Sequence, residues 1–208
     1  MHGVWHVDKG ILFTIKELFT RPGHSVREYL EGKRIYFYNF ISLILLLLAV
    51  SALLAPYIHV KMSDLMPQTN KEMMTSFEKF VEKYPKLILL IAVPVYSLFS
   101  FVWFRKAKLN YSEHLVLNSY RIIPELIVGL LFSAITIFYT NTKVLAVIYV
   151  LAVNLLLVTY SVWFYYQFFS KYNYTKGKLL FKSIMVPVSY LLLSFIIGIV
   201  FAFLNAKH

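Results

Sequence analysis

The sequence predicts an all-α integral membrane protein with about five transmembrane helices. Apolar residues make up 59% of the 208-residue chain and charged residues only 15%, against about 25% charged in a soluble domain. The apolar residues gather into long uncharged runs, and a bilayer core of about 30 Å needs about 20 such residues per helix. Lysine and arginine are also spread unevenly among the segments between the runs, as topology in a membrane requires.

Residues 1–35 read as an amphipathic, cytoplasmic or interfacial segment. Ile11, Leu12, Ile15, Leu18 and Phe19 recur at spacings of three and four, as on one helix face. Arg21-Pro22-Gly23 breaks the chain. Ser25, with Glu28 three residues on, predicts a capping box that opens a second helix through Arg34. Both pieces are expected to lie along the membrane surface, apolar side down. Asp8, Glu17, Glu28 and Glu31 leave no apolar core of signal-peptide type, so the first span is expected to serve as the insertion signal.

Residues 36–208 form the transmembrane domain, with spans at about 36–58, 86–104, 122–140, 144–168 and 183–204. The first lies between Tyr36 and Tyr57, whose rings suit the interface. After it, Asn70 can cap an amphipathic helix with the apolar stripe Met73, Met74, Phe77, Phe80, Val81 and Tyr84, resting on the bundle or the headgroups. The second span carries Pro94 in its middle, which predicts a bend, and ends before Arg105, Lys106 and Lys108. The third opens at Ile122-Ile123-Pro124-Glu125. The fourth ends in an aromatic run from Trp163 to Phe169, and the fifth holds Pro187 near its start.

The N-terminal segment and the loops at 105–121 and 169–182 hold fourteen of the twenty-one lysines and arginines. Positive charge stays in the cytoplasm, so the N-terminus is expected inside and the C-terminus outside a bacterial inner membrane. Much of the net charge of +11 then faces anionic lipid headgroups, at about 1 kcal/mol per juxtamembrane basic residue. No RNA- or DNA-binding motif accompanies that charge, and topology needs the same residues. Nucleic acid is therefore set aside as a partner.

The chain has no cysteine, which excludes disulfides, thiolate catalysis and cysteine-ligated zinc. Glu113-His114 pairs two titrating groups that could bind a metal or relay a proton. Adjacent residues do not share a helix face, so capping or a hydrogen bond across the bundle is the favoured role. Glu125 is the one carboxylate inside an apolar run, and its cost makes it a functional candidate. Its structural account is that Pro124 suits a first helical turn and Arg121, one turn earlier, supplies a counter-ion. Asn154, near the centre of the fourth span, is expected to bond between helices, with a pore-lining role as the alternative. No nucleophile with a neighbouring base, phosphate loop or His-x-x-x-His helix appears. No enzyme activity, catalytic residue, cofactor or metal is assigned.

Two stretches carry a resemblance. One is Thr14 to Phe19, then Arg21-Pro22-Gly23, then Arg27-Glu28-Tyr29-Leu30-Glu31-Gly32-Lys33-Arg34 leading into Tyr36. The other is Phe104-Arg105-Lys106 followed by Asn110-Tyr111-Ser112-Glu113-His114-Leu115-Val116. Together they resemble the bacterial membrane family called domain of unknown function 3667, frequent in Bacteroidota. Members often begin with a cysteine-rich zinc ribbon. This chain starts where the ribbon would end and has no cysteine, so no zinc-dependent role is expected. The organisation is also similar to the five-span Yip1 family, which is linked to membrane trafficking and shaping. Neither resemblance implies a reaction.

The expected function is that of an accessory or interaction protein whose basic cytoplasmic face docks a protein partner or anionic lipid. Arg21, Arg27, Lys33, Arg34, Arg105 and Lys106 are its candidate contacts. The first alternative is an oligomeric channel, transporter or lipid-moving protein, with Glu113, His114, Arg121, Glu125 and Asn154 as pathway or structural polar residues. The second is a membrane-perturbing component of an antiviral defence system.

Overall fold

A computed structural model describes residues 3–58, 60 and 85–205, and the side chains of residues 10–58, 60 and 91–200. The amphipathic helix expected over residues 70–84 lies outside them. The described residues are helical, with no strand among them. In order the helices are α1 (Gly3–Thr20), α2 (Pro22–Leu30), α3 (Phe40–Leu54), α4 (Pro85–Trp103), α5 (Tyr111–Phe138), α6 (Thr142–Phe169) and α7 (Lys176–Asn205).

Four stretches are long and apolar enough to cross a membrane: Arg34–Tyr57, Tyr111–Phe138, Thr142–Phe169 and Lys176–Val200. The apolar stretch of α4 among the described residues is shorter, Ile91–Trp103. The long helices wear their hydrophobicity outward, with Leu46, Leu131, Phe138, Leu155 and Phe195 all exposed. A coat of that extent belongs against lipid or another apolar surface. Helix α5 is the hub, packing against α3, α4 and α6 and against the N-terminal pair α1 and α2.

The N-terminal helices form a cap docked on the bundle. Helix α2 begins directly at Pro22, which needs no N–H partner in a first turn and brings its φ preset. The capping box expected at Ser25 does not form. Ser25 lies inside the helix, donating to Glu17 Oε2 (2.7 Å) and the Arg21 carbonyl (2.8 Å). Helix α2 also stops at Leu30 rather than running to Arg34. Gly32 has φ 109°, its N–H reaches the Tyr29 carbonyl and the Lys33 N–H reaches that of Glu28. This is the paired closure that ends a helix at a glycine. In α1 the buried face is Thr14, Glu17 and Leu18, with Ile11 and Ile15 partly covered, whereas Leu12 and Phe19 are exposed.

Helix ends are set by caps rather than by hydropathy. Asn39 caps α3, accepting from the N–H groups of Ile41 (2.8 Å) and Ser42 (3.3 Å). Asn110 caps α5 in a reciprocal box: its side chain accepts from the Glu113 N–H (2.8 Å) and Glu113 accepts from its N–H (2.7 Å). The third long helix thus starts at Tyr111, not at residue 122. Pro124 is interior to it, and Arg121 leaves the loop for a fully buried position. Helix α7 likewise begins at Lys176, so Pro187 is interior, and α4 runs on through Pro94.

Candidate functional site

The early start of α5 puts chemistry-bearing residues on one face. His114, Asn118, Arg121, Glu125, Gly129, Ser133 and Thr136 follow at spacings of three and four, the period of a single helical stripe. From His114 to Thr136 the stripe climbs about 33 Å at 1.5 Å per residue, close to the thickness of a bilayer core.

Its first part is a buried hydrogen-bonded chain. His114 is 1% exposed, with Nδ1 at 2.8 Å from the Ser100 hydroxyl on α4. The Asn118 amide donates to that hydroxyl (3.0 Å) and to the His114 carbonyl (2.8 Å). The Tyr165 hydroxyl on α6 donates to the Asn118 side-chain oxygen. Phe101 meets the His114 ring edge-on and Phe169 stacks beside it, closing the group from water. Glu113, by contrast, is spent on the α5 cap.

One turn on, Arg121 and Glu125 pair across i and i+4. The Arg121 guanidinium donates to the Ser161 hydroxyl (2.8 Å), and Ser161 in turn donates to Glu125 Oε1 (3.2 Å). The guanidinium carbon lies 3.8 Å from the centroid of the Tyr96 ring, which stacks on Tyr190 at 4.0 Å. Residues of α4, α5, α6 and α7 thereby enclose one cation. Arg121 is 0% exposed, and its Nε and Nη2 have no hydrogen-bond partner among the described residues. The helix-terminus account of Glu125 fails, because α5 begins fourteen residues earlier. The counter-ion account holds.

Beyond Glu125 lies a cleft of about 300 Å³ between α3, α5 and the first part of α6. Ser51, Glu125, Gly129, Ser133, Thr136 and Tyr149 are among its walls, and it extends past the end of α3 to Ile58 and Val60. Asn154 takes no part. It is exposed on α6, where Ile148–Val153 forms a π-helical turn, and its amide donates to the Tyr149 carbonyl (3.0 Å) of its own helix. Among the described residues the interhelical bond expected for it is absent, since the wider turn lets the amide satisfy itself locally.

The cap uses two of the candidate basic contacts internally. Arg21 pairs with Glu17 and with Glu28 (3.0 Å). Arg27 donates to the carbonyls of Gln167 (3.2 Å) and Phe168 (2.9 Å), so it closes the C-terminal end of α6, where carbonyls lack partners and the helix dipole favours a cation. Arg27 also donates to Nδ1 of His24. Burial, then the charges of Arg27 and Arg21, push the His24 pKa below its ordinary value, and Glu28 opposes them. The Gly23 N–H donates to Gln167 Oε1 (3.2 Å), and a Cβ at Gly23 would lie 2.3 Å from the Phe168 nitrogen. Arg-Pro-Gly is thus a docking joint in which two backbones touch. Lys33 and Arg34 stay exposed at the edge, Lys33 3.4 Å from Glu28 and Arg34 over the Tyr29 ring. Arg105 and Lys106 are exposed in the turn after α4.

Residues 8–52 match the family model described as protein of unknown function (DUF3667). The match covers the docked cap and the first long helix, and so includes the Arg-Pro-Gly joint and Gly32. The buried stripe of α5 lies outside it. No curated protein and no solved structure matches the chain.

Sequence patterning does not single out Ser100, Asn118, Ser161 or Tyr165. Asn118 was within reach, because it shares a face with His114 and Arg121 once the helix is started at its Asn110 cap. The others come from distant segments and carry no local signal. Among the described residues no three His, Asp or Glu side chains come together as a metal site would need.

Proposed function

We propose that the chain is a five-span protein of a bacterial inner membrane, with the N-terminus in the cytoplasm, acting as an interaction protein through a basic cytoplasmic rim. The observation that supports this reading is an uncompensated surplus of cations. Each described carboxylate is occupied within the fold: Glu17 and Glu28 by Arg21, Glu31 by Lys171, Glu113 by the α5 cap and Glu125 by Arg121. Arg105, Lys106, Lys108, Lys176 and Lys178 are exposed and enter no ion pair among the described residues.

These residues are neighbours. Lys182 donates to the Trp103 carbonyl (2.5 Å), and the Phe104 ring meets Tyr174 edge-on, which holds the turn after α4 against the start of α7. They present a basic rim suited to anionic headgroups or an acidic protein, at about 1 kcal/mol per basic residue near an anionic surface, and Lys33 and Arg34 add exposed charge at the edge of the cap. Arg21 and Arg27 are engaged within the cap and with the end of α6.

The test is purification from native membranes in mild detergent, with mass spectrometry of the protein and lipid retained. Wild type is expected to keep an acidic partner or anionic phospholipid. A variant with Arg105, Lys106, Lys108, Lys176 and Lys178 changed to Glu is expected to lose it, and identical retention by both proteins would refute the reading. A reporter fused at His208 and active in the cytoplasm would refute the orientation. The permeation reading is favoured by a separate observation, the cleft that reaches Glu125. Solute flux in proteoliposomes, abolished by Glu125→Gln, is its expected signature.

A further inference from the structure

We propose that the cleft beneath Glu125 is a water-filled vestibule that binds small hydrogen-bond-donating cations of the ammonium type, entered from the membrane face opposite the N-terminus. The proposal deepens the permeation reading and does not depend on what docks at the basic rim.

Position is the first argument. Glu125 lies midway along α5, so in a membrane crossed by that helix it sits near mid-depth. From there the cleft follows Gly129, Ser133 and Thr136 toward the C-terminal end of α5 and passes the end of α3. It covers the outer half of the bilayer and stops at the carboxylate.

Chemistry is the second. Glu125 is the one carboxylate among the cleft's walls. Its Oε1 takes the bonds from Arg121 and Ser161, and no hydrogen bond within the chain reaches Oε2 among the described residues. The carboxyl is not sealed, because its side chain keeps 21% exposure while Arg121 keeps none. A carboxylate in hydrocarbon is costly, and an ion pair that fills only one oxygen leaves part of that cost standing. A donor reaching Oε2 from the cleft removes it. The hydroxyls of Ser133 and Tyr149 and the absence of a side chain at Gly129 add a polar, open strip to walls otherwise built mostly of leucine, isoleucine, valine and phenylalanine.

Size is the third. A volume of about 300 Å³ holds on the order of ten waters at their share of the liquid. Small solutes therefore fit without displacing any helix. The guanidinium behind Glu125 sets the ligand class: it already satisfies one oxygen, so the site selects for directional donors rather than for charge alone.

The natural absence of cysteine makes the test clean. Ser133→Cys and Gly129→Cys place a thiol in the cleft, and a Cβ at Gly129 meets nothing within 4 Å. Leu131→Cys and Ile135→Cys place one on the outward side of the same helix, where those residues are 61% and 53% exposed. Each full-length variant is reconstituted and treated with a charged, membrane-impermeant thiosulfonate from the face opposite the N-terminus. Labelling is expected at positions 129 and 133 and not at 131 and 135. Methylammonium is expected to remove most of the labelling at Ser133→Cys, and acetate at the same ionic strength is expected to leave it. Cleft thiols as silent as the outward pair would overturn the vestibule. Equal protection by acetate, or protection that persists in Glu125→Gln, would overturn the ligand assignment. Absence of flux with labelling intact would instead count against permeation alone.

Discussion

Replacing Gly23 by Ala puts the docking of the cap under direct test. A Cβ there would lie 2.3 Å from the Phe168 nitrogen, 2.5 Å from the Phe164 carbonyl oxygen and 2.6 Å from the Gln167 Cβ. Two of those atoms are backbone in the last turns of α6, so no side-chain rotation relieves the clash. Helix α2 must retreat by roughly 1 Å or more to reach ordinary contact, since interiors packed at crystal density have no slack. The retreat stretches the Gly23 bond to Gln167 (3.2 Å) and both Arg27 bonds to the α6 carbonyls (2.9 and 3.2 Å). Overpacking costs about 1–3 kcal/mol, and weakening hydrogen bonds to a charged group costs about 1.5–3 kcal/mol more. Loss of about 3 kcal/mol is expected, read as faster amide exchange across residues 10–30 in detergent or nanodiscs. Gly177→Ala is the control, because a Cβ there meets nothing within 4 Å and helical Ala is better than Gly by up to about 1 kcal/mol. Equal exchange in Gly23→Ala and wild type would refute the close-contact joint.

Three more expectations bear on the cap. Gly32→Ala places a Cβ at φ 109° and is expected to cost about 1–2 kcal/mol, seen as fraying of the α2 end in the same exchange experiment. Arg27→Met removes the cation from the end of α6 and should loosen residues 164–170 as well as the cap, by about 1–3 kcal/mol; unchanged exchange in α6 would count against that role. His24 is held below its ordinary pKa of 6.5 by burial and by Arg27. The unfolded chain therefore binds its proton first, so cap stability is full above about 6.5 and falls as pH drops below it. Glu28 acts in a lower window: burial raises its pKa but Arg21 and Lys33 outweigh that, so its contribution fades only below 4.5. Thermal melts between pH 7 and 5 should show a slope that His24→Gln lessens.

Long apolar runs made the helices legible, because hydrocarbon forces each backbone group to bond within its own segment. They did not reveal where the helices begin. Hydropathy marks the lipid-facing part of a helix, whereas caps mark its start, and Asn110 stands twelve residues ahead of Ile122, where the chain turns from polar to apolar. That displacement moved Arg121 from a loop to the centre of the bundle and brought His114 and Asn118 onto its face. The Arg121–Glu125 pair itself was readable, since i and i+4 always meet on a helix. Gly23 was readable as a break but not as a contact, because its partner Gln167 is 144 residues away. The local bond of Asn154 was not readable, because nothing local to its sequence announces a π-helical turn.

The Arg121–Glu125 pair leads to a last prediction that separates architecture from use. Removing one partner leaves the other charge buried, which costs about 3–5 kcal/mol, whereas replacing both by apolar side chains is often neutral or stabilising. Arg121→Leu and Glu125→Leu singly should therefore unfold at markedly lower temperature, Arg121→Leu less severely because Glu125 borders the cleft and can turn toward it. The double variant is expected to melt near the wild type, with the Ser161 and Tyr96 hydroxyls left to rearrange locally. Melting of the double variant as low as the sum of the singles would mean that the pair organises the helices, and the presence of two charges inside the bundle would need no further cause. A double variant that folds as well as wild type leaves no structural reason for two charges at mid-depth. Loss of thiol-cleft protection or of flux in that folded variant would then assign the pair to what the cleft binds.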